Sequence, residues 1–578
     1  MLRLFFLAPQ RPILRFTMPS KRARSTSVIV KKTPNDLDQF LSAPRKVASA
    51  QNAAAVDAEP PLAKLLEAVK GQNQQVKKGK AVVYWMRMAD LRISDNHALS
   101  LASTQAKKEE IPLVVLFVIS PQDYKAHDRG ARRIDFTLRN LTQIKDCLAE
   151  LNIPLHIITH NIRKTLPGAV LSLLRDWGCT NLYGNIEYEV DELRRDIQVC
   201  ALGKSQGISA NFVHNKCIIE PGVITTKESK AYSVYSPYQR NWISTLNGHL
   251  DQYLKNFSEP HPNADGIRED PQLSKLFETK VPISVPGFEL EEHDRDMMST
   301  VWPAGEDSAR QILDRFLHTK SRTSQMGVVD PLFDGAEVTE KGSRIMKYHQ
   351  DRDNADRDTT SRLSPYLSAG VISVRECVRA TLKIQKSNKV DGSRESGIGR
   401  WVQELAWRDF YTCVLASFPR VSMGRPFLEK YAAVEWEDTK ALKKWKDGMT
   451  GFPVVDAAMR CLKQTDLMID WRVGERYFME QLIDADLASN NGGWQWCAST
   501  GVDPCPYFRI FNPYTQSTKV DPTGDFIRQF VPELSKLRGP DLHNPSASAA
   551  NKLGYPQPIV KHDEARQRAL QRFKEVGK

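Results

Sequence analysis

Beyond Lys80, short apolar runs alternate with amphipathic stretches. Ala81–Tyr84 and the run Ile111–Ile119 read as strands, Ile134–Leu151 has helical periodicity, and Ile153–Thr159 is a third strand. Leu166–Trp177 reads as a helix, Asn181–Tyr183 as a strand, Asp191–Gly207 as a helix and Ile208–His214 as a closing strand. Strand–helix alternation at this spacing predicts an α/β domain over 80–215 with a parallel, Rossmann-like sheet. Such sheets bind ligands beyond the carboxyl ends of their strands, yet no GxGxxG follows the first strand. From 216 to 340, Pro221, Pro237, Pro260, Pro262, Pro271, Pro282 and Pro286 interrupt any long element, which reads as an extended connector with some helix. From Gly342 the patterns turn helical. Seven of the chain's 11 tryptophans lie between Trp401 and Trp496, and 341–575 is expected to be all-α. Pro44–Lys80 is an Ala-, Gln- and Lys-rich linker with room for one short helix, so 1–79 is expected to be a disordered tail and linker.

Charge changes this picture in one place. The 578 residues carry a net +12, but residues 1–79 hold 14 Lys/Arg against 5 Asp/Glu, leaving only +3 for the remainder. A nucleic-acid site on the body must therefore be a local basic face. Met1–Leu7 mixes Arg with bulky apolar residues in the manner of a mitochondrial presequence, and Lys21-Arg22-Ala23-Arg24 reads as a nuclear-localisation patch. Met18 lies between the two, so the tail suggests nucleus and mitochondrion; an unaddressed basic tail is the competing reading. No apolar run approaches the roughly 18 residues of a membrane helix. The nine cysteines form no CxxC pair, which argues against a zinc site and suits a reducing compartment. No metal is expected, and nothing suggests more than a monomer.

Three segments carry chemistry. Thr359-Thr360-Ser361-Arg362-Leu363-Ser364 precedes a helical stretch, and its hydroxyls and Arg suit a phosphate; a plain N-cap is the alternative. Glu404, Trp407, Arg408 and Tyr411 fall at i, i+3, i+4 and i+7, one helix face that sets an aromatic beside a carboxylate. Such a face suits a planar heterocycle, and an internal ion pair with packed aromatics competes with that reading. Asp484 to Trp496 packs two acids, two Asn, two Gly and two Trp into 13 residues. Buried carboxylates need partners, so a polar ligand is the natural complement.

These segments, together with Tyr84–Arg92, Asp95-Asn96, Asp470–Phe478, Tyr507–Pro513 and Tyr555–Val560, resemble the photolyase/cryptochrome family. Within it the chain is most similar to class I cyclobutane pyrimidine dimer photolyases of fungal type, from about Ala81 to Phe573. The resemblance implies an α/β antenna domain and a helical domain holding FAD. Tyr348 and Thr360, Ser361, Arg362, Leu363 and Ser364 would hold its phosphates and ribityl chain. Arg408, Asp484, Ala485 and Asp486 would fix the flavin, with Asn490 beside the reactive ring nitrogen. Trp494, Trp471 and Trp445 resemble a relay carrying electrons to photoexcited flavin. Trp407 and Trp496 would stack on the flipped dimer, and Glu404 would hydrogen-bond a pyrimidine carbonyl as charge develops on it. Arg352, Tyr411 and Gln516 match DNA-contacting positions. Reduced FAD would donate an electron to the dimer in UV-damaged DNA and recover it once the ring has split. The expected antenna is 5,10-methenyltetrahydrofolate at Asp191 and Glu192 with His127, although Met423 replaces the family's basic residue.

One departure stands out. Family members carry a helix with a Met-His-Asn-Arg motif where this chain runs from Thr465 straight into Asp466. The missing piece is about 17 residues, roughly 25 Å of helix. Its loss would remove lesion contacts and leave a buried acid, Asp484, short of a partner. The alternatives to repair are a cryptochrome-like photoreceptor and a repair-inactive isoform.

Overall fold

The computed structural model describes residues 47–72, 77–322, 330–333, 335–437, 441–461, 470–504 and 509–576. The basic tail before Val47 and the Thr465–Asp466 junction lie outside them. Five parallel strands, β1 Val82–Met86, β2 Leu113–Ile119, β3 Leu155–Thr159, β4 Asn181–Asn185 and β5 Ser209–Val213, form one sheet in the order β3-β2-β1-β4-β5. Val82 registers against Leu113 on one side and Asn181 on the other. The strand order reverses beside β1, which opens the crevice expected of a doubly wound sheet between the ends of β1 and β4. All five residues of β1 are buried, as a parallel strand covered on both faces requires.

The order strand, helix, strand is as the sequence pattern indicates, with one addition. A helix at His97–Glu109 follows β1, and its buried residues are mostly Ala and Ser, so no broad apolar stripe marks it. The segment 216–340 is more built than an extended connector. It holds helices at Tyr235–Gly248, Glu292–Val301 and Glu306–His318, and Trp242 and Trp302 are buried within it. After Arg344 every regular element among the described residues is helical.

The largest correction concerns the linker. Residues 50–70 form two helices, α1 Ala50–Ala58 and α2 Pro61–Lys70, each packed on a different domain. Asp57 at the end of α1 pairs with Arg420, and the Ala48 amide donates to the Met423 carbonyl, both in the helical domain. Leu62 and Leu65 of α2 join the α/β core against the helix Val190–Ser205, and Gln72 bonds the Cys200 carbonyl and the Ala210 amide. The composition read as low complexity because α1 is mostly alanine, while α2 has an apolar face only about two turns long. Starting the chain at Lys77 is expected to cost about 3–5 kcal/mol, the burial of two leucines plus a partly buried ion pair. A thermal unfolding midpoint unchanged by this truncation would show that the strap adds no stability.

The two domains also meet along the start of α3, Ala131–Glu150. Arg129, Arg132 and Arg133 donate to the carbonyls of Ala485, Gln481 and Ile483, each at 3.1 Å. The approach is close enough that a Cβ on Gly130 would lie 2.1 Å from the Glu480 carbonyl oxygen. The α/β domain thus fixes the backbone of residues 481–485, the loop that carries Asp484. No described helix is long and apolar enough to cross a membrane, and no group of His, Cys, Asp or Glu among the described residues is arranged to hold a metal ion.

Candidate functional site

The helix α4, Gly397–Ser417, starts at a Ser396 cap and brings Glu404, Trp407 and Arg408 to one region, as their spacing requires. Glu404 forms an ion pair with Arg352, which is only 7% exposed. Trp407 lies flat against Tyr235, with ring centroids 3.5 Å apart and planes 8° from parallel. Arg408 donates to the Lys216 carbonyl at 2.6 Å and the Leu367 carbonyl at 3.3 Å. Tyr411 departs from the expected DNA contact. It is buried, stacked on Trp407 and so close to Gly492 that a Cβ there would sit 2.2 Å from its ring.

A second helix, α5 Leu487–Cys497, is capped by Asp486, which accepts from the Ser489 amide at 3.0 Å and its hydroxyl at 2.8 Å. The other carboxylate oxygen pairs with Lys216, 270 positions earlier in the chain. Burial alone would raise the Asp486 pKa, but Lys216 and then Arg408 outweigh it and hold the group well below the usual carboxylate range. Lys216 is held above its ordinary value for the converse reason, the Asp486 charge overcoming burial. Asp484 is different. It makes no ion pair among the described residues, and burial, partly offset by the Ser364 hydroxyl, pushes its pKa up to about 6. Ala485 is buried between these acids, its carbonyl held by Arg129. Asn490 donates to the Glu475 carbonyl at 2.9 Å, and its carbonyl oxygen is buried with no partner among the described residues.

Trp445, Trp471 and Trp494 are each no more than 4% exposed and line one groove with Trp436 and Phe511. Trp445 meets Trp494 edge-on at 6.4 Å, so the outer member of the expected relay is buried and touches the innermost directly. Trp496 lies under the Arg509 guanidinium at 3.8 Å. Gln516 is half-buried on the helix Pro513–Val520.

On the other side of α4, Tyr348 is buried on the helix Arg344–Asp351. It is followed by the segment from Asp358 to Ser364, in which Arg362 takes a left-handed backbone (φ 54°) and Leu363 is fully buried. Here the hydroxyls of Thr359 and Thr360 and one oxygen of Asp358 are buried without partners among the described residues. Ser361 keeps its hydroxyl near the Leu363 amide at 3.4 Å. Unsatisfied buried polar groups of this kind are costly unless a ligand completes them. The donors and acceptors fit FAD: hydroxyls and an Arg for phosphate and ribityl oxygens, an Asn carbonyl and two acids for a flavin edge.

In the α/β domain, Asp191 and Glu192 open the helix Val190–Ser205. Glu192 pairs with His127 at 3.0 Å; burial disfavours the imidazolium, but the Glu192 charge outweighs it and raises the His127 pKa. Asp191 is more exposed and pairs with Arg163 at 2.9 Å, which also holds Asp123 at 2.7 Å. The Arg163 guanidinium went unnoticed in the sequence because it follows β3 and meets Asp191 only in the fold. Lys216 went unnoticed for the same reason.

Comparison with known proteins places these observations in a family. Residues 82–261 match the DNA photolyase family model, and residues 401–575 match the FAD binding domain of DNA photolyase. A deoxyribodipyrimidine photo-lyase of Neurospora crassa is 38% identical over 530 residues, covering 86% of this chain and 82% of that protein. A mitochondrial deoxyribodipyrimidine photo-lyase of Saccharomyces cerevisiae is 32% identical, covering 88% of each chain. The crystal structure of a class III photolyase from Agrobacterium tumefaciens superposes with a TM-score of 0.68 at 28% identity, covering 87% of this chain and 99% of that one. The fold and site define a two-domain flavoprotein of the light-driven lyase type. The chain belongs to the DNA photolyase family.

Proposed function

We propose that this chain repairs cyclobutane pyrimidine dimers in DNA by light-driven electron transfer. The observation that carries this reading is the pairing, on one helix, of Glu404 and Trp407 within the domain whose orphaned hydroxyls and acids fit FAD. Bound and reduced, FAD supplies an electron on absorbing blue or near-UV light and takes it back when the ring has opened. The chain's own residues position and stabilise. Trp407 and Trp496 offer flat faces for a flipped dimer. Arg352 orients the Glu404 carboxyl toward a pyrimidine carbonyl, where charge develops. Thr360 to Ser364 with Tyr348 bind the cofactor's polar chain, while Arg408, Asp484 and Asp486 fix its ring. Asp191, Glu192 and His127, with Arg163 supplying the cation that Met423 lacks, support a methenyltetrahydrofolate antenna. The tail composition and the yeast relative's mitochondrial name support delivery to both nucleus and mitochondrion.

The test uses the flavin-loaded full chain and an oligonucleotide carrying one dimer, assayed in blue light and in the dark. Repair in light alone is expected; a flavin-loaded protein that leaves the dimer intact overturns the reading. Trp407→Ala should weaken binding of dimer DNA by about ten- to a hundredfold, the worth of one base–aromatic stack, with flavin content unchanged.

Two observations favour a second reading, a repair-inactive isoform. Asp484 has no ion-pair partner among the described residues, and the tryptophan groove opens beside Asp470. Both accord with loss of the helix expected at Thr465–Asp466. Sequencing the transcript across this junction separates the two: an in-frame insert restores the competent enzyme, and a direct join supports the inactive isoform.

A further inference from the structure

Trp407 and Trp496 lie 89 positions apart on different helices, yet one side chain connects their surroundings. Asp503 accepts from the Trp496 indole N–H at 3.4 Å through one oxygen and from the Tyr235 amide at 3.2 Å through the other. Its own amide donates to the Ser233 carbonyl at 2.7 Å, and Arg509 donates to its carbonyl at 2.6 Å while lying over Trp496. Tyr235 in turn donates its hydroxyl to the Gln403 carbonyl at 2.8 Å and covers one face of Trp407. Asp503 holds a left-handed backbone (φ 54°), a conformation uncommon for non-glycine residues that Asp adopts more readily than most.

We infer that Asp503 and Tyr235 are positioning residues that set the two tryptophans at a fixed separation and tilt for an extruded pyrimidine dimer. The inference rests on the proposed repair function. The chemistry agrees with it: an offset indole clamp gains affinity only when both rings are held before the base arrives. Asp503 ties Trp496 to the backbone at 233–235, and Tyr235 passes that placement to Trp407 by face-to-face contact. Neither residue needs to touch DNA.

The experiment measures affinity of the flavin-loaded full chain for an oligonucleotide with one dimer and for its undamaged counterpart. In Asp503→Ala and Tyr235→Leu the preference for dimer DNA should fall by about fivefold or more, the equivalent of one aromatic stacking pair. Affinity for undamaged DNA and flavin content should stay near wild type. Tyr235→Phe keeps the ring and should keep the preference, and Asp503→Asn, which keeps one acceptor oxygen, should fall between. Unchanged preference in both Asp503→Ala and Tyr235→Leu overturns the inference. So does a loss that Tyr235→Phe shares and that tracks flavin release, since that is the mark of general damage. A wild-type chain with no preference for dimer DNA overturns the repair reading itself, and this inference with it.

Discussion

Replacing Lys216 with Met is expected to destabilise the protein by about 3–5 kcal/mol, the usual result of leaving one member of a buried ion pair without the other. Asp486 would remain as a charged cap inside the domain interface with only the Ser489 contacts and the more distant Arg408 to hold it. The same change should empty the site, because Asp486 anchors both the start of α5 and, on the proposed reading, the flavin ring. Denaturant unfolding and flavin absorbance of the purified protein check both effects. The double variant Lys216→Met/Asp486→Asn should recover much of the stability without recovering flavin, which separates the cost of a bare charge from the ligand contact. The pair also has a pH signature. Asp486 has a folded pKa below its unfolded value, so its contribution is complete above about pH 4 and fades as acidification passes through the folded value. A Lys216→Met protein with wild-type stability and full flavin would remove Lys216 from the site.

Asp484→Asn should act in the opposite sense. Burial raises the Asp484 pKa from 3.8 to about 6, so the folded chain binds a proton that the unfolded chain has already lost. The contribution of this group to stability therefore declines as pH rises from about 4 to about 6 and levels off above that, a loss of about 1–3 kcal/mol. Asn mimics the protonated acid and escapes this cost. The flavin-free variant should be the more stable protein at pH 7.5, with the advantage vanishing near pH 4. It should also hold flavin less well, since the carboxylate is then gone. Equal stability of the two proteins across this range would show that Asp484 is balanced by a cation and is not a strained acid. A site that costs stability until its ligand arrives is a common pattern where function needs a charge in a dry place.

How much of this was legible beforehand depends on distance along the chain. The alternation that gave β1 to β5 and the i, i+3, i+4 face at Glu404, Trp407 and Arg408 are local patterns, and the fold kept them. Only Tyr411 on that face turned inward, because Gly492 lets its ring settle against the neighbouring helix. The contacts that sequence reading missed are long-range. Lys216 finds Asp486, Asp503 finds Tyr235, and Arg129, Arg132 and Arg133 find carbonyls some 350 positions later. Nothing in the periodicity around an isolated lysine or arginine states which distant group will share its burial. The helix His97–Glu109 escaped for another reason: small residues bury well without making a stripe.

The two helices before the sheet bear on how the chain can mature. Because α1 and α2 are part of the packed body, any presequence-removing protease must cut before Val47, or it would strip away the brace between the domains. Initiation at Met18 respects the same boundary. A presequence of the kind proposed could therefore be removed, or skipped by initiation at Met18, without changing the folded product, and the permissible cleavage window ends where Ala48 meets Met423.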